Sequence, residues 1–166
     1  MVKVLKFGGS SLADAEQFKK VAAIIKAEPE RRYVVASAPG KRYSDDTKVT
    51  DMLYGCYHLA EEGKDFKKEL AAIEARYQEI IDGLSLTLSL KDEFKVIEKN
   101  FKEKAGENYA ASRGEYLNGI IMANYLGYEF VDSAEVIRFK DNGEFDSELT
   151  NEILSEYLKD KDNAVV

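Results

Sequence analysis

At 166 residues the chain has the length of a single domain. Its formal net charge of −7, with no basic cluster among interleaved aromatics, argues against a nucleic-acid partner. A lone cysteine, Cys56, and a lone histidine, His58, exclude a disulfide framework, a cysteine metal site and any chemistry that needs a histidine pair. Met1 leads directly into an apolar strand without a signal-peptide pattern, and no apolar run reaches membrane-spanning length. The expectation is a protein of the reducing cytoplasm that makes no membrane contact.

In chain order, Val2 to Phe7 is rich in β-branched and aromatic residues and predicts a strand. Gly8 to Ser11 predicts a turn. Phe18, Val21, Ala22 and Ile25 fall at helical spacing and predict an amphipathic helix over 13–26, closed by Pro29. Tyr33 to Ala36 predicts a second strand, so the first thirty-odd residues read as a βαβ unit with a parallel sheet. A polar loop over 38–48 carries Pro39, Gly40, Asp45 and Asp46. Helices follow over 50–62, stopped at Gly63, and through Phe66, Leu70, Ile73, Tyr77 and Ile80. Leu84 to Leu90 alternates strictly and reads equally as a strand or as an extended linker between helices. Phe94, Ile97 and Phe101 continue a helix to about Gly106. Ser112 to Leu126 predicts a longer helix capped by Gly127. A strand over 128–131 and a helical turn over 133–136 come next. Asp141-Asn142-Gly143 predicts a hairpin with a type I′ turn. A helix over 147–158 has Ser147 as its N-cap, and Ala164 to Val166 reads as a strand.

The segment Lys6-Phe-Gly-Gly-Ser-Ser11 carries the clearest chemistry. A lysine at the carboxyl end of a buried parallel strand stands where open α/β sheets bind ligands. Gly8 and Gly9 let backbone N–H groups approach an oxyanion and permit positive φ. The following helix offers its N-terminus, and Ser10 and Ser11 add hydroxyls. A plain glycine turn, with Lys6 reaching to water, fits these residues as well. Neither a Walker A loop nor a G-x-G-x-x-G fingerprint is present. Asp45 and Asp46 read as solvated loop charges, and no residue is assigned to a metal. Cys56 and His58 read as packing residues within a helix, and Arg113 as a solvated charge or ion-pair partner.

These residues resemble the N-terminal signature of the aspartokinases, in the amino acid kinase family. Val34-Val-Ala-Ser-Ala-Pro-Gly-Lys-Arg42 with Lys48-Val-Thr-Asp-Met-Leu53 resembles the family's second strand and substrate loop. Ser112-Arg-Gly-Glu-Tyr-Leu117 resembles its Ser-x-Gly-Glu helix, and Phe130 to Val136 the strand and turn that follow. The resemblance spans essentially the whole chain. It implies that Lys6 contacts the transferring phosphoryl group and that Gly8, Gly9 and Ser10 cradle phosphate oxygens. It implies that Ser37, Thr50 and Glu115 lie near bound L-aspartate, with Glu115 facing the amino group. ATP with Mg²⁺ would be the phosphoryl donor, and the parent enzyme a homo-oligomer. Read without it, Ser37 satisfies backbone at a strand end, Thr50 caps a helix, and Glu115 sits in a helix's first turn, where the dipole favours it.

The implied fold is three-layer α/β/α with a mainly parallel sheet. Residues 1–166 would form the N-terminal part of an amino acid kinase domain, with a helical insertion over about 65–106. The family's C-terminal nucleotide-binding half and its regulatory domains would be absent. An unpaired sheet edge, exposed apolar surface and little or no kinase activity of the isolated chain are the corresponding expectations. The competing readings are a kinase of the same superfamily acting on glutamate, acetylglutamate or a nucleoside monophosphate, and a non-catalytic binding or assembly domain. Phe7 with Ser10-Ser11, and the Ser112 to Glu115 motif, favour aspartate.

Overall fold

The computed structural model describes all residues, 1–166. Four strands form one sheet: β1 (Lys3–Phe7), β2 (Arg31–Ala36), β3 (Glu129–Phe130) and β4 (Ala164–Val165). Their spatial order is β1-β2-β4-β3 and every pairing is parallel. Seven α-helices accompany them: α1 (Ala15–Lys26), α2 (Val49–Glu61), α3 (Lys67–Gly83), α4 (Lys91–Lys102), α5 (Glu107–Leu126), α6 (Ser133–Val136) and α7 (Ser147–Leu158). No helix is long and apolar enough to cross a membrane.

The sheet separates two helical layers of unequal size, giving the three-layer α/β/α arrangement. Leu5, Phe7, Val34 and Ala36 point to one face, where Phe18 and Ile25 of α1 and Leu117 and Ile121 of α5 bury them. On the other face, Val131, Val136 and Ala164 form a small second core with Ile153, Leu154 and Tyr157 of α7. That layer stops short of β1. Val4 is 68% exposed, and β1 is an edge strand with one open face, not the doubly buried central strand expected from its position before a glycine turn.

Leu84 to Leu90 forms no strand. Leu84 and Leu90 cap α3 and α4 and are buried, so the alternation serves a linker whose leucines turn inward. The faces of α3 and α4 formed by Leu70, Ile73, Tyr77, Phe94, Ile97 and Phe101 join the main core. The α5 helix begins at Glu107, ahead of Ser112. The turn after Lys140 is not type I′: Gly143 alone has positive φ (84°), and its N–H donates to Lys140 O at 2.9 Å. Asp141 and Asn142 stay at negative φ, so the hairpin closes with a left-handed glycine after an ordinary turn and is held by the single bridge Phe139–Phe145. Asp146, one residue before Ser147, caps α7 by accepting from Leu149 N.

Because Ile73 is fully buried in the shared core, Ile73→Ala is expected to cost about 2–5 kcal/mol. Urea unfolding followed by circular dichroism should show one transition at lower midpoint. A separate early transition of α3 and α4 would contradict the single core.

Candidate functional site

Two loops leave the carboxyl ends of β1 and β2 and meet backbone to backbone. The first is a short 3-10 turn over Gly9–Leu12, closed by Ser11 N–H donating to Gly8 O at 3.0 Å. The second runs from Ser37 to Lys48. Gly40 N–H donates to Gly9 O at 2.8 Å. A Cβ on Gly40 would stand 2.6 Å from Gly9 C, and one on Gly9 would stand 2.9 Å from Ala38 O. These glycines are required by close approach. Neither Gly8 nor Gly9 has positive φ, contrary to the role expected for them.

The two loops and α5 enclose an open cleft of about 460 Å³. Gly9, Ser10, Ser37, Gly40, Thr50 and Glu115 line it, together with Lys41 and Lys48. Of its ten lining residues one is hydrophobic, so it suits a polar, charged ligand. A second depression of about 450 Å³ lies on the open sheet face between Val4, Tyr33, Val35 and Leu158. Eleven of its fourteen lining residues are hydrophobic, and it lacks the glycine turn's donors. Glu115 borders both.

Of the residues singled out from sequence, Gly9, Ser10, Ser37, Thr50 and Glu115 line this cleft, whereas Lys6 and Gly8 lie outside its lining. Gly8 lies outside strand and helix, and its N–H donates to no protein acceptor. The N–H groups of Gly9 and Ser10 precede the first hydrogen bond of the 3-10 turn and have no acceptor within the protein. Helix α1 does not contribute its N-terminus: it starts only at Ala15, and the Asp14 carboxylate already accepts from Gln17 N at 2.9 Å. Lys6 is exposed, makes no ion pair, and its Nζ lies 4.0 Å from where a Gly8 Cβ would be, beside the cleft but outside its lining.

Ser37 is anchored through its backbone, with its N–H donating to Phe7 O and its carbonyl accepting from Asn118 Nδ2 at 2.6 Å. Its hydroxyl makes no hydrogen bond. Thr50 does not cap α2. Lys48 is the N-cap and Thr50 the second helical residue, with an unpaired hydroxyl in the cleft. Glu115 sits two turns inside α5 and is not placed by the helix dipole. Its neighbour Gly114 packs on Ala38 and accepts from the buried Tyr77 hydroxyl at 2.8 Å. Burial holds the Tyr77 phenol well above its ordinary pKa, so it remains a donor.

Sequence reading missed what holds the second loop. Arg76 of α3 is buried and reaches across to it. Its Nη2 donates to Gly40 O at 2.6 Å, and its Nη1 lies 3.1 Å from Asp46 Oδ2. Arg42 donates to both Asp46 carboxylate oxygens, at 2.9 and 3.1 Å, and to Glu79 at 2.7 Å. Asp46 is therefore no solvated charge: its side chain is 8% exposed. The hydrogen bonds from Arg42, with Arg76 beside it, hold its carboxyl well below the usual carboxylate range. Direct pairing raises Arg42, whereas burial, then repulsion from Arg42, lowers Arg76. The signal available beforehand was an arginine on the buried face of a helix, facing a loop with two aspartates. His58 is exposed, with Nε2 2.6 Å from Glu107 Oε1, and bridges α2 to α5. Cys56 is buried, which pushes its thiol up to about 12. Arg113 forms no ion pair and stacks between Tyr109 and Tyr116 at 4.7 and 4.5 Å.

The sequence matches the amino acid kinase family over residues 1–166. This chain belongs to the amino acid kinase family. Within that family it is similar to aspartokinases, in their N-terminal kinase portion. It is 42% identical over 161 residues to aspartokinase 3 of Bacillus subtilis, covering 91% of this chain and 34% of that protein. Aspartate kinase of Clostridium acetobutylicum superposes with a TM-score of 0.95 at 44% identity, covering 99% of this chain and 38% of that one. Aspartokinase III of Escherichia coli, solved with aspartate and ADP, shares the fold with a TM-score of 0.79 at 22% identity, over 99% of this chain and 40% of its own. This amino acid kinase chain thus spans little more than a third of the length of the relatives it matches.

Two outcomes follow from the loop contacts. Gly40→Ala has no rotamer to relieve its clash and is expected to cost about 1–3 kcal/mol in urea unfolding. An alanine variant of unchanged stability would contradict the close contact. The depressed Asp46 pKa makes its contribution full above the unfolded value of about 4, with loss as pH falls toward the folded value. Asp46→Asn should be less stable at pH 7 by about 1–3 kcal/mol and should lose less on acidification to pH 3 than the parent. Parallel acid limbs for the two proteins would contradict the assignment.

Proposed function

We propose that this chain supplies the phosphate-cradling and aspartate-holding part of an aspartate kinase. That enzyme transfers the γ-phosphoryl group of ATP to the side-chain carboxylate of L-aspartate, giving 4-phospho-L-aspartate and ADP. This is the first step toward lysine, threonine and methionine. The observation that carries the reading is the meeting of Gly9, Ser10, Ser37, Thr50 and Glu115 in one polar cleft of a chain similar throughout to aspartokinases.

The chemistry asks for positioning and charge neutralisation and no covalent nucleophile. The N–H groups of Gly8, Gly9 and Ser10 offer donors to phosphate oxygens, and Lys6 adds a positive charge beside them. The hydroxyls of Ser37 and Thr50 are free to orient the amino acid, and the Glu115 carboxylate to receive its ammonium. The aspartate carboxylate is ionised near pH 7, so its oxygen attacks phosphorus without a general base. As that P–O bond forms, the bond to the β-γ bridging oxygen breaks, and ADP leaves with the electron pair. No group of three or more His, Cys, Asp or Glu side chains is placed to hold a metal ion. Mg²⁺ would come with the nucleotide, on whose phosphates it would neutralise charge.

The reading assigns the isolated chain little or no turnover. Aspartate-dependent ADP release, with acyl phosphate trapped by hydroxylamine, tests it in this chain and in a C-terminally extended one. The extended chain should turn over, and its Lys6→Ala variant should lose roughly 100-fold or more in kcat. Silence of the extended chain would overturn the aspartate kinase reading. Full turnover by the 166-residue chain would overturn the assignment of missing parts.

A further inference from the structure

Arg76 lies on α3, outside the cleft lining, yet it touches both loops that build the cleft. Its Nη2 donates to Gly40 O at 2.6 Å and to Ala13 O, just after the glycine turn, at 3.4 Å. Its Nη1 donates to Thr47 O at 3.3 Å and pairs with Asp46 at 3.1 Å. The side chain is 3% exposed, and its Nε has no partner at all. A buried guanidinium with an unsatisfied N–H is a costly way to join a helix to a loop, because an apolar contact of similar volume commonly does as well. A planar fork does something an apolar side chain cannot: it fixes several carbonyls in one register. Between its contacts at Gly40 and Thr47 the loop carries Lys41, and Lys48 follows directly. Both lysines line the cleft; Lys48 makes no ion pair, and Lys41 Nζ donates only to Ser44 O within the same loop, at 3.2 Å.

We propose that Arg76, with Asp46 as its counter-ion, is a positioning residue that locks the 40–48 loop onto the glycine turn and so aims Lys41 and Lys48 at a polyphosphate in the cleft. The ligand class rests on the proposed function; the locking does not. Arg76 touches no ligand and acts through the loop. The loop supplies two cations that the resemblance assigned no role, and both line the same cleft as Gly9 and Ser10.

Limited trypsin digestion of the full chain, read by mass spectrometry, tests the lock without any ligand, since Lys41, Arg42 and Lys48 are themselves cleavage sites. In Arg76→Met, cleavage after these three residues should accelerate about tenfold or more. Cleavage after Lys26 and Arg113 should be unchanged, and Arg76→Lys should fall between variant and parent. Cleavage that is unchanged, or that rises equally everywhere, overturns the proposal. If Arg76→Met does not fold, Asp46→Asn is digested instead, with the same local acceleration expected. Calorimetric titration with tripolyphosphate supplies the readout that a merely structural tie would not move. Affinity should drop about tenfold in Arg76→Met at unchanged circular dichroism, and equal affinity of the two proteins overturns the proposal. If the parent itself fails to bind tripolyphosphate, the phosphate cradle of the proposed function fails, and the digestion result alone decides the lock.

Discussion

The cleft depends on one contact: the backbone of Gly40 lies against the backbone of Gly9. Adjacent parallel strands stand under 5 Å apart, so the loops leaving β1 and β2 begin almost in contact. With a Cβ on either glycine they would be forced to diverge. Without one, Gly40 N–H reaches Gly9 O, and the second loop is drawn over the first. Its chain direction is then set, and the Gly40 carbonyl is presented to Arg76 on α3. The same arrangement leaves the Gly8, Gly9 and Ser10 N–H groups without a hydrogen-bond acceptor in the protein.

Helix α5 closes the other side of the cleft by similar means. Gly114 admits Ala38, Asn118 holds the Ser37 carbonyl, and the Tyr77 hydroxyl fixes Gly114 O from α3. Each tie lands on backbone or on a residue next to a cleft side chain. The side chains of Ser10, Ser37, Thr50 and Glu115 are thereby placed by their neighbours and left without partners of their own. Such placement suits a site whose work is orientation and charge neutralisation, because the groups that meet the ligand keep their full hydrogen-bonding capacity.

Much of this was legible from sequence. Periodicity located the helices, since Phe18, Val21, Ala22 and Ile25 have no other use than a buried face. The βαβ start announced the parallel sheet. The Lys6 to Ser11 segment marked the glycine turn after β1, and the segments around Ser37, Thr50 and Glu115 marked residues that line the cleft. Other features were hidden because they depend on contacts between distant parts of the chain. Arg76 looked like one more charge on a helix, and Asp46 like a loop aspartate; only their meeting makes them a lock. The exposure of Val4 followed from the sheet order, which β1 itself does not encode. The Leu84 to Leu90 alternation misled in the ordinary way: turning a leucine inward at every second residue needs no partner strand, and a linker with Ser85 at positive φ does it.

The most direct measurement is a map of ligand contacts by ¹H–¹⁵N correlation spectra of the labelled chain. Mg-ADP and L-aspartate would be added separately and then together. The account predicts that ADP shifts the amides of Gly8, Gly9 and Ser10, and that aspartate shifts those of Ser37, Thr50 and Glu115. Shifts confined to Val4, Tyr33 and Val35 on the apolar sheet face, or no shifts with either ligand at saturation, would contradict it.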